Sequence, residues 1–479
     1  MRANYAKVII VKFNTLFTAV TVATVTSIFT QVNAAPVYAD FPVTVKEYQG
    51  EKKTSVSYSG QMARQVLHNS LKKLAGKGNG EANPELQAQM QAYFSGKEAG
   101  RAVVSPVSKE GFAVSPANID DISKGKNLAG KAYKGIVTGW PGNMTAAEVL
   151  SFMVDKAASA DGGYDLVNGM DYPQLISKFT MGAVFYNQAV DNYLDEKLAA
   201  DVKPNDKPYK KGAAYTGKEH VWDEAFGYFG APVNALNLDA KTNYAVAKGK
   251  KEAFTAGDFN KNGKIDLDTE MLYAHAYYAA SSDTSGKSNY LHTITQAFID
   301  GRAIISSAKG EKLSAEQRTE LMKQVDIIKT NWELVIAEAA FKYAGYTYEY
   351  ALKVQAAVDK NETVDKDYKS YIHIWGELKG FSMSLQTGGK DLGGLAVDMN
   401  RLIGYSPVLL GNTQVTGIDD KGNYKQGSSV TLTEYALGML KLQKLLADNY
   451  GLQARKKDQL SKLAELSAKI GSGKNTEND

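Results

Sequence analysis

Cysteine is absent from the 479 residues. Its absence excludes disulfides, thiolate metal sites, cysteine nucleophiles and a lipid-modified N-terminal cysteine. Without disulfides, an exported chain must draw its stability from a large core or from bound metal. Charge of one sign is also lacking: 56 Lys and Arg are interspersed with 52 Asp and Glu, for a net charge of +4. No basic stripe of the kind that holds phosphates results, so nucleic acid is not an expected partner. Beyond the first forty residues no run is apolar enough to span a membrane. Alternating strand patterns are sparse, which points to an all-α fold. Histidine and tryptophan are scarce, at five and four residues, so a pattern that reuses both carries weight.

What is present begins with a leader. Arg2, Lys7 and Lys12 make a positive start, and an apolar, Thr-rich run follows from Phe13 to about Thr30. Two small-residue cleavage patterns come next, Val32-Asn33-Ala34 and Val37-Tyr38-Ala39. The reading is an export signal over residues 1–39, cleaved after Ala39 or Ala34, and a periplasmic or extracellular protein with no stable membrane span after cleavage. The many Thr, with Ser27, Gln31 and Asn33, make the run a poor permanent anchor. With 44% hydrophobic residues the rest can bury a real core, and its 28 tyrosines suit interhelical packing with a polar handle.

Residues 40–58 read as an extended lead-in. Helical periodicity then predicts helices from Gly60 to Gly76, over Pro84–Phe94, and from the Thr145-x-x-Glu148 capping box through Met153. Further helices are expected from Tyr172-Pro173 to Leu198, over His220–Phe229, and over 270–280, 288–307, 314–358, 366–385, 395–402, 433–449 and 452–470. Residues 97–143 and 388–427 look loop-rich, 233–287 an insertion, and 471–479 a disordered tail. The expected organisation is two related helical bundles, 40–232 and 288–470, arisen by internal duplication.

A repeated string carries that expectation. His220-Val-Trp222-Asp223-Glu224-Ala-Phe-Gly227-Tyr228 matches His373-Ile-Trp375-Gly-Glu377-Leu-Lys-Gly380-Phe381 in His, Trp, Glu and Gly at identical spacing. A D-K-x-Y-K run precedes each, at Asp206 and at Asp365. On a helix His220 and Glu224 share one face, as do His373 and Glu377. Such a pair is a half-site for a first-row transition metal, and two facing helices could complete one. Asp223 adds a carboxylate in the first copy alone, and Glu338, amid Ala and Ile, is a candidate extra ligand or salt-bridge partner. The alternative is that His and Glu merely hydrogen-bond to neighbouring helices while Trp fills the core. His68, His275 and His292 lack a repeated carboxylate partner and read as packing or surface residues.

The strings HVWDEAFGYFG and HIWGELKGF, with SYSGQ at Ser57–Gln61 and DLGGLA at Asp391–Ala396, resemble exported bacterial proteins of the imelysin-like group. The resemblance covers nearly the whole mature chain, and HVWDEAFGYFG is its most specific part. It implies an internally duplicated, two-bundle extracytoplasmic protein linked to iron uptake, with G-x-H-x-x-E as a metal site. The chain departs from that hallmark. Gly217 stands three residues before His220 rather than two, and the third residue after the histidine is Asp223, with Glu224 one step later. The group also carries a peptidase label, but no H-E-x-x-H, serine elbow or Cys/His arrangement supports proteolysis.

A second constellation lies in the insertion. Asp258, Asn260, Asn262 and Asp266 occupy positions 1, 3, 5 and 9 of an EF-hand-type calcium loop, with Gly263 at 6 and Ile265 at 8. Lys264 would offer its backbone carbonyl. Position 12 is Thr269 instead of glutamate, so Asp268 or Glu270 has to swing in. The leading expectation is an exported metal-binding protein of iron acquisition without turnover. Its cofactors would be calcium and iron or another first-row metal, and its partners a metal ion or complex and another envelope protein. His220, Asp223, Glu224, His373 and Glu377 would be ligands or would orient them. The rivals are a calcium-stabilised binding module for a surface polymer or protein, and a metal-dependent hydrolase.

Overall fold

The computed structural model describes residues 36–475. The leader from Met1 to Ala34, with its first cleavage pattern, lies outside them; Val37-Tyr38-Ala39 lies within. The described residues belong to one compact unit.

Local chemistry sets the helix bounds. The first are α1 (Ser59–Ala75) and α2 (Pro84–Phe94), the latter capped by the Asn83 side chain with Pro at its first turn. Strand β1 (Val114–Ser115) and the one-turn α3 (Ile119–Ile122) follow. Helix α4 (Ala146–Ser159) opens on the Thr145/Glu148 capping box and runs past the expected Met153. A small antiparallel pair, β2 (Tyr164–Asp165) and β3 (Met170–Asp171), leads into α5 (Tyr172–Thr180), whose first turn Asp171 caps. The expected single helix to Leu198 instead becomes π-helical over Met181–Tyr193. A π stretch is rare and often marks a functional region. Here Gly182 presses on Ser384 so closely that a Cβ would stand 2.3 Å from that side chain.

Helix α6 (Gly217–Phe229) carries the first motif. The Thr216/Glu219 capping box starts it and Gly230, at φ 85°, ends it in the left-handed region. The insertion over 233–287 holds α7 (Ala240–Ala247), the one-turn α8 (Phe254–Gly257) and β4 (Ile265–Asp266), which pairs in parallel with β1. Then come α9 (Ala274–Asp283), α10 (Tyr290–Ser307), the 45-residue α11 (Ala315–Asp359) and α12 (Asp365–Leu385), which carries the second motif. Helix α13 (Gly394–Ile403) and the antiparallel hairpin β5 (Thr413–Ile418)–β6 (Tyr424–Ser428) precede α14 (Leu432–Asn449) and α15 (Leu463–Asn475).

The fold is all-α, with small sheets only. Helix α11 is the central beam, about 68 Å long at 1.5 Å per residue, and α10, α12 and α14 pack along it. Helix α5 lies against α12, α1 and α4, and α6 against α1, α10 and the π segment. One continuous apolar cluster runs through all of them. The last helix starts at Leu463, not Leu452. The reason is Glu338, whose carboxylate accepts the consecutive backbone N–H groups of Gln453, Ala454 and Arg455 at 2.6, 2.7 and 2.8 Å. N–H groups turned onto a side chain hold that stretch as a loop.

Candidate functional site

The two motif helices dock in the same way. Trp222 and Trp375 are fully buried, and each indole N–H donates to a carbonyl of a neighbouring helix, Phe298 at 2.8 Å and Ile403 at 3.3 Å. The motif glycines lie where a second helix comes close. A Cβ on Gly227 would stand 2.8 Å from Gln61 Cβ of α1, and one on Gly380 would stand 2.4 Å from Lys178 Cβ of α5. Each motif glutamate faces a polar side chain of that same neighbour, Glu224 meeting Gln61 at 2.7 Å and Glu377 meeting Lys178 at 3.4 Å. Each histidine Nδ1 meets an oxygen just ahead of it, Ser57 O at 3.2 Å and Asp171 Oδ2 at 2.8 Å.

Around the first motif the charges are consumed internally. Arg302 of α10, without solvent exposure, donates to Asp223 Oδ1 at 2.9 Å and to Glu219 Oε1 at 3.0 Å. Tyr38 O–H and the Ser57 N–H also donate to Asp223, both at 2.9 Å. Burial pushes the Asp223 carboxyl up against the pull of Arg302, while Asp223 and Glu219 hold Arg302 charged against its own burial. His220 is stacked on Tyr215 at 4.6 Å and flanked by Tyr209 at 4.4 Å, with Glu224 3.8 Å from its Nε2. Burial lowers the His220 pKa despite Glu224.

Around the second motif the charges do not cancel. A cavity of about 730 Å³ opens between α1, α5, α7, α9, α11 and α12, and both His373 and Glu377 line it. Lys72, Lys73, Lys178, Lys248 and Lys342 line it too, against Glu377 as the one lining carboxylate. The Lys178 side chain is only 3% exposed and lies 5.2 Å from the centre of the Tyr278 ring. Lys72 donates to the Gln174 amide oxygen at 3.1 Å. Burial and then the neighbouring Lys178 lower Lys72 to about 7. Burial raises Glu377, but Lys178 and Lys72 outweigh it and hold it below the ordinary carboxylate range. Lys342 is lowered chiefly by burial. Tyr244, Tyr277, Tyr278 and Tyr343 complete the wall. The arrangement can seat an organic anion of modest size: ammonium groups for the charge, phenols for hydroxyls or rings.

Other expected site residues serve other contacts. Asp223 is spent on Arg302, Tyr38 and Ser57. Glu338 holds the 453–455 loop and the Tyr290 hydroxyl, at 3.1 Å. In the insertion loop the Asp258 oxygens accept from the Asn262 and Gly263 N–H groups, at 3.0 and 2.9 Å. The Glu270 oxygens accept from the Asn260 and Asp266 N–H groups, both at 2.9 Å. Asn260 and Asn262 side chains both donate to Asp266, and the Lys264 N–H donates to Asn262 Oδ1. Among the described residues no three His, Asp or Glu side chains converge on a point that could hold a metal. The His220–Glu224 and His373–Glu377 pairs therefore do not combine, and the donors present do not fit a shared first-row metal site.

The sequence reading missed Lys72, Lys178 and Lys342, because a lysine within an amphipathic helix reads as its solvent face. Lys178 did carry a signal: it sits between Leu175, Phe179 and Ala183, all on the apolar side of its helix. A family model described as "Domain of unknown function (DUF4856)" matches residues 45–387. Among curated proteins and among solved structures, none matches.

Proposed function

The chain belongs to the DUF4856 family, and we propose that this member is an exported, non-catalytic binding protein for a small organic anion. The ligand sits in the cavity beside the second motif. One observation carries this reading: five lysines line that cavity against a single carboxylate, and Lys178 is held there almost without solvent. Ammonium groups gathered around one cavity repel one another, most at the buried Lys178, and an anion relieves the repulsion. Export rests on the N-terminal leader pattern.

The test is a thermal-shift panel of small carboxylates, phosphate esters and their neutral counterparts. Anions that bind the folded state raise Tm by mass action, and the rise disappears in a Lys178→Met/Lys342→Met double variant. Equal shifts in both proteins, or none with any anion, would overturn the reading. The imelysin-like resemblance adds iron, supported by the His220–Glu224 pair alone; metal content that falls in His220→Ala is its test. Calcium in the 258–270 loop rests on the agreement of that sequence with an EF-type loop. Chelator should then lower the Tm of the wild type and leave an Asp258→Ala variant unmoved.

A further inference from the structure

We infer that the ligand class of this cavity is carbonyl-bearing organic anions, such as 2-oxo acids and aldehyde acids, and that Lys72 captures them as an imine. The inference rests on the anion reading and deepens it. The two inner lysines are not equivalent. Lys178 has a carboxylate of its own, Glu377 at 3.4 Å, and lies 5.2 Å from the centre of the Tyr278 ring. Lys72 meets a neutral partner, the Gln174 amide oxygen, at 3.1 Å. Of two adjacent ammonium groups, the one without its own carboxylate loses its proton more readily.

A neutral Lys72 keeps its lone pair. One N–H can stay on Gln174 while the lone pair faces the cavity that Lys72 lines. This is the arrangement that activates an amine toward carbonyl carbon: partial desolvation beside a second cation. The pKa of about 7 agrees with it. The charged groups facing Lys72 come from three elements: Lys178 from α5, Glu377 from α12, and Asp171 from β3, which His373 shares. Lys248, just past the end of α7, and Lys342 of α11 remain to take the ligand's carboxylate.

The chemistry balances without an added oxidant or reductant. Lys72 Nζ attacks the carbonyl carbon, forming the C–N bond as the C–O π pair moves to oxygen. The two protons of the amine pass to that oxygen, with the Lys178 ammonium as the nearest relay. Water leaves, and a C=N bond remains. The reverse is hydrolysis, so the capture is reversible and needs no turnover.

The experiment treats the full chain with glyoxylate and cyanoborohydride at pH 7.5 and locates the reduced adduct by peptide mass spectrometry. Lys72 should be labelled at least about tenfold faster than exposed lysines, because an ordinary lysine is almost wholly protonated at that pH. Lys178→Met should slow that labelling by returning the proton to Lys72, and Lys72→Arg should abolish the fast adduct while keeping charge. Labelling of Lys72 no faster than of the exposed Lys250 overturns the inference, and needs no variant. Binding of glycolate, which lacks the carbonyl, is measured in parallel by calorimetry. Glycolate binding without a fast adduct removes the imine and keeps the anion site. A fast adduct without glycolate binding keeps the capture and removes the general anion reading. Neither result removes both.

Discussion

Where the first motif has Asp223, the second has Gly376, and where the first has Glu219, the second has Ile372. Helix α6 thus brings two acids of its own, and Arg302 neutralises them in a dry cluster with Tyr38, Ser55 and Ser306. Helix α12 brings neither. Its histidine borrows Asp171 from β3, and Gly376 leaves room: a Cβ there would already touch Asp171 at 3.4 Å. The shared residues, Trp and Gly, fix how each helix docks. The unshared residues decide whether the charges beside it close into a structural knot or line an open cavity.

The largest expected effect is at the closed knot. Arg302→Met leaves Glu219 and Asp223 buried without a countercharge, which costs about 3–5 kcal/mol. Lys178→Met should cost clearly less, since Lys72 still faces Glu377. Urea unfolding of both variants measures the contrast, and equal losses would erase it.

Next comes the N-terminal edge of the same knot. Tyr38 is fully buried, stacks on Phe226 at 3.7 Å, and its backbone N–H donates to Val233 O at 3.0 Å. Cleavage after Ala39 would discard it; cleavage after Ala34 would keep it. A protein starting at Asp40 should be about 3 kcal/mol less stable than one starting at Ala35, the scale of losing a buried aromatic. The mature N-terminus should therefore be Ala35, and an Asp40 terminus found by mass spectrometry would refute that.

The shared docking is probed by its glycines. Gly227→Ala and Gly380→Ala each force a methyl to within 2.8 Å and 2.4 Å of a neighbouring side chain. Overpacking of this kind costs about 1–3 kcal/mol, more than the ~1 kcal/mol that alanine returns in helix propensity. Gly376→Ala, with contacts at 3.4 Å, should be close to neutral in Tm. If the first two are neutral as well, the glycines do not set the docking.

Much of the helical skeleton was legible because it is written locally. Capping residues at Thr145, Asp171, Ser314 and Asn83 fix helix starts, and the period of the apolar residues gives their extent. Two departures came from long-range contacts. Glu338, more than a hundred residues away in sequence, holds the 453–455 loop out of a helix. Gly182 against Ser384 accompanies the change to a π-helix, and no local signal marks it. The repeated motif was legible as a pattern, but its charges were not. Arg302 lies outside the string, and a buried lysine looks like a surface one until its helix is docked.

The last contrast separates the open site from the closed one through protons. Lys72 sits at about 7 in the folded chain against an ordinary lysine value near 10.5. Between those values the unfolded chain holds a proton that the folded chain has released. Stability therefore rises with pH across that window, and falls back as pH drops toward 7, where the folded lysine must take the charge. The slope from one such group cannot exceed one proton, about 1.4 kcal/mol per pH unit. Lys379, buried and also lowered to about 7, adds a similar slope in every variant and forms a common background. Lys72→Met should flatten the urea-midpoint profile between pH 7.5 and 10 relative to wild type. Glu224→Gln, at the closed site, should leave the profile unchanged in slope. Anion binding at pH 8.5 should draw a proton back onto Lys72, seen as a heat of binding that varies with the ionisation enthalpy of the buffer. A heat independent of buffer, together with an unchanged slope in Lys72→Met, would show that Lys72 stays protonated and that the two motif sites do not differ in this way.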